Sequence, residues 1–103
     1  MTRLRKEAVE RALHGAGKAS GNARRAAFDN ANAPEAARAL LDKVAKTAWR
    51  VTDDDVAAAK KAGLSEDEIF ELVVCAAYGQ STRQLDAALA ALDAADAKKE
   101  GAA

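Results

Sequence analysis

The sequence predicts an all-α protein, a compact bundle of several short helices. Of its 103 residues, 29 are Ala, the strongest helix former, and one is Pro. β-branched residues are few, and apolar side chains recur at steps of three and four. Leu, Ile, Val and Phe together number only 18. We therefore expect residues 1–103 to form one helical domain around a small core.

Residues 1–33 are expected to form two short helices joined by a loop. The first helix covers residues 2–13 and carries a weak apolar stripe. Three Gly residues, one Ser and one Asn in residues 14–22 indicate a loop. A second helix is expected over residues 23–31, with Phe28 facing the core.

Residues 34–96 are expected to hold the main helices. Pro34 suits the first turn of a helix that runs to about Arg50 with one apolar face. Thr52 then begins a capping box, followed by an acidic first turn that matches the helix dipole. Gly63 is expected just past the end of this helix.

A second capping box at Ser65 opens the most apolar helix, over residues 69–78. A helix that is apolar nearly all round is typical of a buried, central element. The residues expected to be among the most buried are Ile69, Leu72 and Val73.

Beyond this central helix, Gly79 is expected to mark a kink or break. A further helix then carries Leu85, Leu89 and Leu92 on one stripe. Residues 97–103 are expected to form a flexible tail.

The formal net charge of zero hides an asymmetry between the two halves of the chain. Residues 1–50 carry 11 Lys and Arg against 5 Asp and Glu, whereas residues 51–103 carry 5 against 11. The basic residues are not interleaved with aromatic ones, so the pattern argues against nucleic-acid binding. Attraction between the halves, within a chain or between subunits, is the simpler interpretation.

Several functional classes are excluded or disfavoured by composition. A single Cys excludes an internal disulfide framework and a Cys-rich zinc site. No phosphate-binding loop or dinucleotide fingerprint is present, so we expect no cofactor, and the acidic run 53–55 reads as a helix start rather than a metal site. No apolar run approaches about 18 residues, and Glu7 and Glu10 interrupt any leader peptide. We expect a cytoplasmic protein without membrane contact.

A series of short motifs between residues 49 and 92 carries a family resemblance. The motifs are Val51-Thr52-Asp53-Asp54-Asp55-Val56, Gly63-Leu64-Ser65, Glu68-Ile69 with Glu71, Tyr78-Gly79, and Arg83 with Leu85. Their order and spacing resemble the helical hairpin of the carboxymuconolactone decarboxylase and alkylhydroperoxidase D superfamily. The resemblance implies the alkylhydroperoxidase D-like fold, which is usually obligately oligomeric.

The resemblance does not carry over the family's chemistry. The peroxidase branch uses Cys-x-x-Cys and a following His, because one thiol attacks and the other resolves the intermediate. With Cys75 at the first position, Tyr78 takes the second and Thr82 takes the place of the His. The only His, His14, lies in the Gly-rich loop. We therefore expect a family member of unassigned activity and unknown substrate, without the two-cysteine site. The alternative is a non-catalytic helical homo-oligomeric module for structure or interaction.

Three residues of the central helix are candidate catalytic residues: Glu71, Cys75 and Tyr78. Glu71 lies one turn before Cys75 on the same face and would be a proton acceptor if buried. Each has a structural alternative, since a buried Cys behaves as a small hydrophobe, Tyr78 could pack in the core or an interface, and Glu71 could face solvent. Trp49 is interpreted as a packing anchor between helical hairpins.

We also expect a homo-oligomer. Only about 20 large apolar or aromatic side chains serve some five helices, and neighbours from one short chain can barely cover a helix that is apolar on nearly every side. The stripe of Leu85, Leu89 and Leu92 also lacks an assigned partner. Closed symmetry is the usual result of such self-association.

Overall fold

A computed structural model describes residues 3–102, and their side chains as far as residue 98. Five α-helices and one 3-10 turn follow each other in this part of the chain, which contains no strand. They are α1 (Arg3–His14), α2 (Gly21–Asp29), α3 (Glu35–Thr47), the 3-10 turn (Ala48–Arg50), α4 (Asp53–Lys61) and α5 (Glu66–Ala102). The predicted all-α class is confirmed. Residue 2 of the predicted first helix and residue 103 of the predicted tail lie outside the described residues.

Both predicted capping boxes are present and set the starts of α4 and α5. The Thr52 side chain accepts from the Asp55 N–H, and an Asp55 carboxylate oxygen accepts from the Thr52 N–H at 2.9 Å. Ser65 and Glu68 make the same reciprocal pair, with both distances 3.1 Å. Gly63 adopts the left-handed conformation, with φ at 113°, just after α4 ends.

Helix α2 begins two residues earlier than predicted because Ser20 caps it. The Ser20 side chain accepts a hydrogen bond from the Ala23 N–H, which makes Gly21 the first helical residue. At the other end Asn30, at φ 51°, adopts the left-handed conformation, and its N–H donates to the carbonyls of Ala26 and Ala27. The loop after α1 therefore spans only residues 15–20.

Helix α5 runs unbroken through Gly79, so the predicted kink or break there is wrong. The helix has 37 residues, and at about 1.5 Å per residue it accounts for most of the 60 Å length of the molecule. Gly79 is buried against α2, and a Cβ built on it would overlap the Phe28 carbonyl oxygen. Glycine is needed here for close helix approach rather than for bending. The helix also continues through residues 97–102 of the predicted tail, whose flexibility stays a prediction.

The core lies where α1, α2 and α3 pack against the first half of α5. Its most deeply buried large side chains are Leu41, Leu72 and Cys75. A second cluster joins α3, α4 and α5 through Leu40, Ala59 and Ile69. The predicted burial of Ile69 and Leu72 is confirmed, whereas Val73 is only half-buried because it faces the α4 side of α5.

Two large apolar side chains that were expected from the sequence to pack against other helices are exposed to solvent instead. Trp49 is 81% exposed, so its predicted role as a packing anchor is wrong. It lies on the 3-10 turn that follows α3, where no residue is buried. Phe70, in the helix predicted to be buried on all sides, is 70% exposed. The small bundle covers only one face of α5.

Candidate functional site

The Glu71 carboxylate holds the loop between α1 and α2. Its two oxygens accept hydrogen bonds from the Lys18 N–H at 2.8 and 2.9 Å. One of them also accepts from the Ala19 N–H at 2.6 Å. The side chain is half-buried, so the predicted carboxylate on the central helix is a paired one, and its partners are backbone donors.

Arg24, which lies on α2, donates hydrogen bonds to carbonyls of the same loop. The sequence pattern did not identify it as a candidate site residue. The residue is only 7% exposed. Its Nε donates to the Ala19 carbonyl at 3.0 Å and its Nη1 donates to the Gly15 carbonyl at 2.6 Å. The one signal that could have found it is position, because Arg24 shares a face of α2 with the buried Ala27 three residues later.

Gly17 lies between the two charged groups. A Cβ on this residue would overlap the Glu71 carboxylate and come within 3.0 Å of the Arg24 guanidinium. We call Glu71 and Arg24 the loop clamp, since the carboxylate binds the N–H groups of the loop and the guanidinium binds its carbonyls. The clamp satisfies polar backbone groups that would otherwise be partly buried without partners.

The electrostatics of the clamp keep Glu71 ionised. Burial raises its pKa, but the hydrogen bonds from Ala19 and Lys18 and the positive charges of Arg24 and Lys18 outweigh that, so the pKa lies below its ordinary value. A carboxylate with a lowered pKa and its lone pairs engaged by N–H donors is a poor proton acceptor near neutral pH.

Cys75 is sealed in the core one turn after Glu71. Its side chain has no exposed surface, and Sγ donates to the Ala12 carbonyl at 3.2 Å. Burial raises the pKa of the thiol, Arg24 lowers it and Glu71 raises it, with a net upward shift. Because the thiolate is the nucleophile, a buried thiol with a raised pKa is inert.

Tyr78 lies apart from these two groups. It is half-buried and borders a shallow, open depression on α5 that it shares with Val74, Ala77 and Ser81. Neither Glu71 nor Cys75 lines that depression. The fold thus brings Glu71 and Cys75 to the side of α5 that faces α1, whereas Tyr78 packs against the edge of the core and is partly open to solvent.

The other charged residues singled out by sequence serve local structure. Asp55 accepts from Lys43 Nζ at 2.9 Å in addition to its capping bonds, so it stabilises the start of α4. His14 is exposed, with Nε2 3.9 Å from a Glu10 oxygen. Among the side chains described, no group of three His, Cys, Asp or Glu is placed to hold a metal ion.

No protein-family model, curated protein or solved structure matches this chain. None of the helices that the structure describes combines the length and hydropathy required to span a bilayer.

Proposed function

We propose that this chain is a non-catalytic helical interaction module. The observation that carries the proposal is that two of the three candidate catalytic side chains of the central helix, Glu71 and Cys75, make hydrogen bonds to the backbone of this fold. Glu71 accepts hydrogen bonds from backbone N–H groups of the α1–α2 loop. Cys75 is fully buried, and its thiol donates a hydrogen bond to a backbone carbonyl. A catalytic site built on Glu71 or Cys75 would need that group free to meet a substrate.

We also propose that the chain is a divergent relative of the carboxymuconolactone decarboxylase and alkylhydroperoxidase D superfamily, with a related fold. The support is the order of the motifs between residues 49 and 92, together with the two capping boxes that begin α4 and α5. A relative of this kind keeps the helical hairpin and lacks the two-cysteine peroxidase site. A cytoplasmic location belongs to the same proposal, because unpaired thiols are typical of reducing compartments.

The second candidate is an enzyme of unassigned activity within that family. The observation in its favour is that Tyr78 borders a depression open to solvent. A phenol without an accompanying acid or base is a weak basis for catalysis. We therefore rank the interaction module first.

The test measures whether the Cys75 thiol is reactive in the folded protein. We expect a disulfide exchange reagent to label native Cys75 slowly and urea-unfolded Cys75 fast. The control carries Cys75→Ala with Ala90→Cys, which puts the thiol at an exposed position of the same helix and should label fast when folded. Peroxide consumption with a dithiol reductant should equal that of Cys75→Ser. Fast labelling of native Cys75, with peroxide turnover lost in Cys75→Ser, would contradict the proposal.

A further inference from the structure

The loop between α1 and α2 surrounds the Glu71 carboxylate with the donors that proteins use to bind small anions. The carboxylate accepts from the Lys18 N–H at 2.8 and 2.9 Å and from the Ala19 N–H at 2.6 Å. The side chain of Arg24, which is only 7% exposed, adds a positive charge that acts on the same carboxylate. Successive backbone N–H groups beside a buried guanidinium form a concave site for a negatively charged group.

The shape of this loop is held by hydrogen bonds that do not involve Glu71. Arg24 donates to the Ala19 carbonyl at 3.0 Å and to the Gly15 carbonyl at 2.6 Å. The Ser20 side chain caps α2, which follows the loop directly. Because these bonds remain when the Glu71 side chain is shortened, the loop N–H groups should keep their direction. A site organised in advance binds its ligand without the cost of ordering the loop.

The space that the carboxylate fills exists because residue 17 is a glycine. A Cβ on Gly17 would overlap a Glu71 carboxylate oxygen and would lie 3.0 Å from an Arg24 nitrogen. Gly17 and Lys18 are exposed and Glu71 is half-buried, so this space lies at the surface of the molecule. An anion that entered from solvent could therefore occupy the position that the Glu71 carboxylate now holds.

The charges that act on this space favour an anion in it. They come from Lys18 in the loop, from Arg24 on α2 and from Glu71 on α5, with the neutral thiol of Cys75 one turn further along. Among these four groups only Glu71 carries a negative charge. Removal of its carboxylate would leave the buried guanidinium of Arg24 without a counter-charge, and an uncompensated buried charge is strongly unfavourable. The uptake of an external anion would restore the balance.

We propose that the α1–α2 loop and Arg24 form a binding site for a small monocarboxylate, and that Glu71 is a ligand for this site built into the chain. In the natural protein Glu71 keeps the site closed, because a carboxylate attached beside its donors competes at a high effective concentration. The interaction module does not require this site, so the two proposals are independent of each other.

Glu71→Ala should open the site to acetate. The substitution keeps the Cβ and removes one methylene group with the carboxylate, so the vacated space matches acetate in size and charge. A ligand this small should bind with a Kd of about 10 mM. At that affinity, acetate at about 100 mM should raise the folding equilibrium constant of the variant about tenfold. The measurement is urea unfolding at neutral pH in sodium acetate and in sodium chloride of equal ionic strength.

Three matched controls separate this site from a general effect of acetate. The natural protein and Glu71→Gln both keep a side chain in the site, so acetate and chloride should act on them equally. The double variant Gly17→Ala with Glu71→Ala puts a methyl group into the vacated space beside Arg24, so it should lose the response to acetate. An equal response of Glu71→Ala and the natural protein, or a response that persists in the double variant, would overturn the proposal.

A second measurement locates the bound acetate by nitrogen-15 NMR of the Glu71→Ala variant. The amide signals of Lys18 and Ala19 should shift saturably as acetate is added and should not shift in the same way with chloride, because their N–H groups are the donors. If the variant is unfolded in chloride, acetate should restore its helical circular dichroism. Loop amides that do not respond to acetate, or a variant that stays unfolded in it, would contradict the proposed site.

Discussion

Gly79 of α5 lies directly against the backbone carbonyl of Phe28 at the end of α2, so closely that a Cβ on Gly79 would overlap the carbonyl oxygen. The same oxygen accepts a hydrogen bond of 2.6 Å from Arg83, one turn further along α5. The missing side chain and the guanidinium together fix where α2 crosses α5. This crossing positions Arg24, and with it the loop clamp, because Arg24 lies on α2.

Gly79→Ala should destabilise the protein, although Ala is normally the better helix residue. The added methyl group meets backbone, which cannot rotate away, so the helices must separate, at a cost of about 1–3 kcal/mol. The matched control is Gly21→Ala, where no atom lies within 4 Å of the new Cβ. The control should be neutral or slightly stabilising. Urea unfolding of both variants measures the difference, and equal stabilities would show that α2 and α5 are not in close contact.

Glu71→Gln should weaken the loop clamp and lower the free energy of unfolding by about 1–3 kcal/mol, as expected for hydrogen bonds to a charged group. The folded-state pKa of Glu71 lies below its ordinary value of 4.5. Its contribution is therefore present above that ordinary value and is lost as the pH falls through the folded value. Urea unfolding at a series of pH values should show the two proteins converging in acid. A stability difference that persists unchanged to low pH would contradict this account.

Gly17→Ala tests the clamp from the loop side. The new methyl group would overlap the Glu71 carboxylate, so the loop and the carboxylate must separate. We expect destabilisation in the natural background and a smaller effect when Glu71 is already Gln. A double-mutant cycle by thermal unfolding measures the coupling. Fully additive effects would mean that Gly17 and Glu71 act independently.

Leu72→Ala should cost about 2–5 kcal/mol, because it empties a core position where Leu72 is 1% exposed. Val73→Ala should cost less, because Val73 is half-buried and lines an open groove with Val56 and Phe70. Chemical unfolding of the two variants ranks them. The reverse order would place the core on the wrong side of α5.

Asp55→Asn should destabilise α4 more than Asp54→Asn does. The hydrogen bond from Lys43 and those from Thr52 lower the pKa of Asp55, although burial raises it slightly. The advantage of Asp55 over Asn should therefore shrink as the pH falls through that lowered pKa. Thermal unfolding of both variants at neutral and acid pH measures this. Equal effects of the two substitutions would mean that neither the Lys43 hydrogen bond nor the capping box contributes measurably to stability.

The sequence alone determined the helical class and most helix boundaries. The starts of α4 and α5 follow from Thr52 with Asp55 and from Ser65 with Glu68, residues three apart whose hydrogen bonds form within one turn. The end of α4 follows from Gly63, which adopts a conformation that other residues avoid. Such signals are readable because both partners of each interaction are close neighbours in the chain.

The tertiary structure decided which side of α5 is core and what its polar residues do. Glu71 meets Lys18 across 53 positions of sequence, and Arg83 meets Phe28 across 55. No local pattern distinguishes a carboxylate that binds a loop from one that binds a substrate, nor a glycine that bends a helix from one that admits a neighbour. The central helix is apolar on nearly every side, so its periodicity could not select the buried face. The buried face is the one against which α1, α2 and α3 pack, and one short chain supplies too few helices to cover the other side.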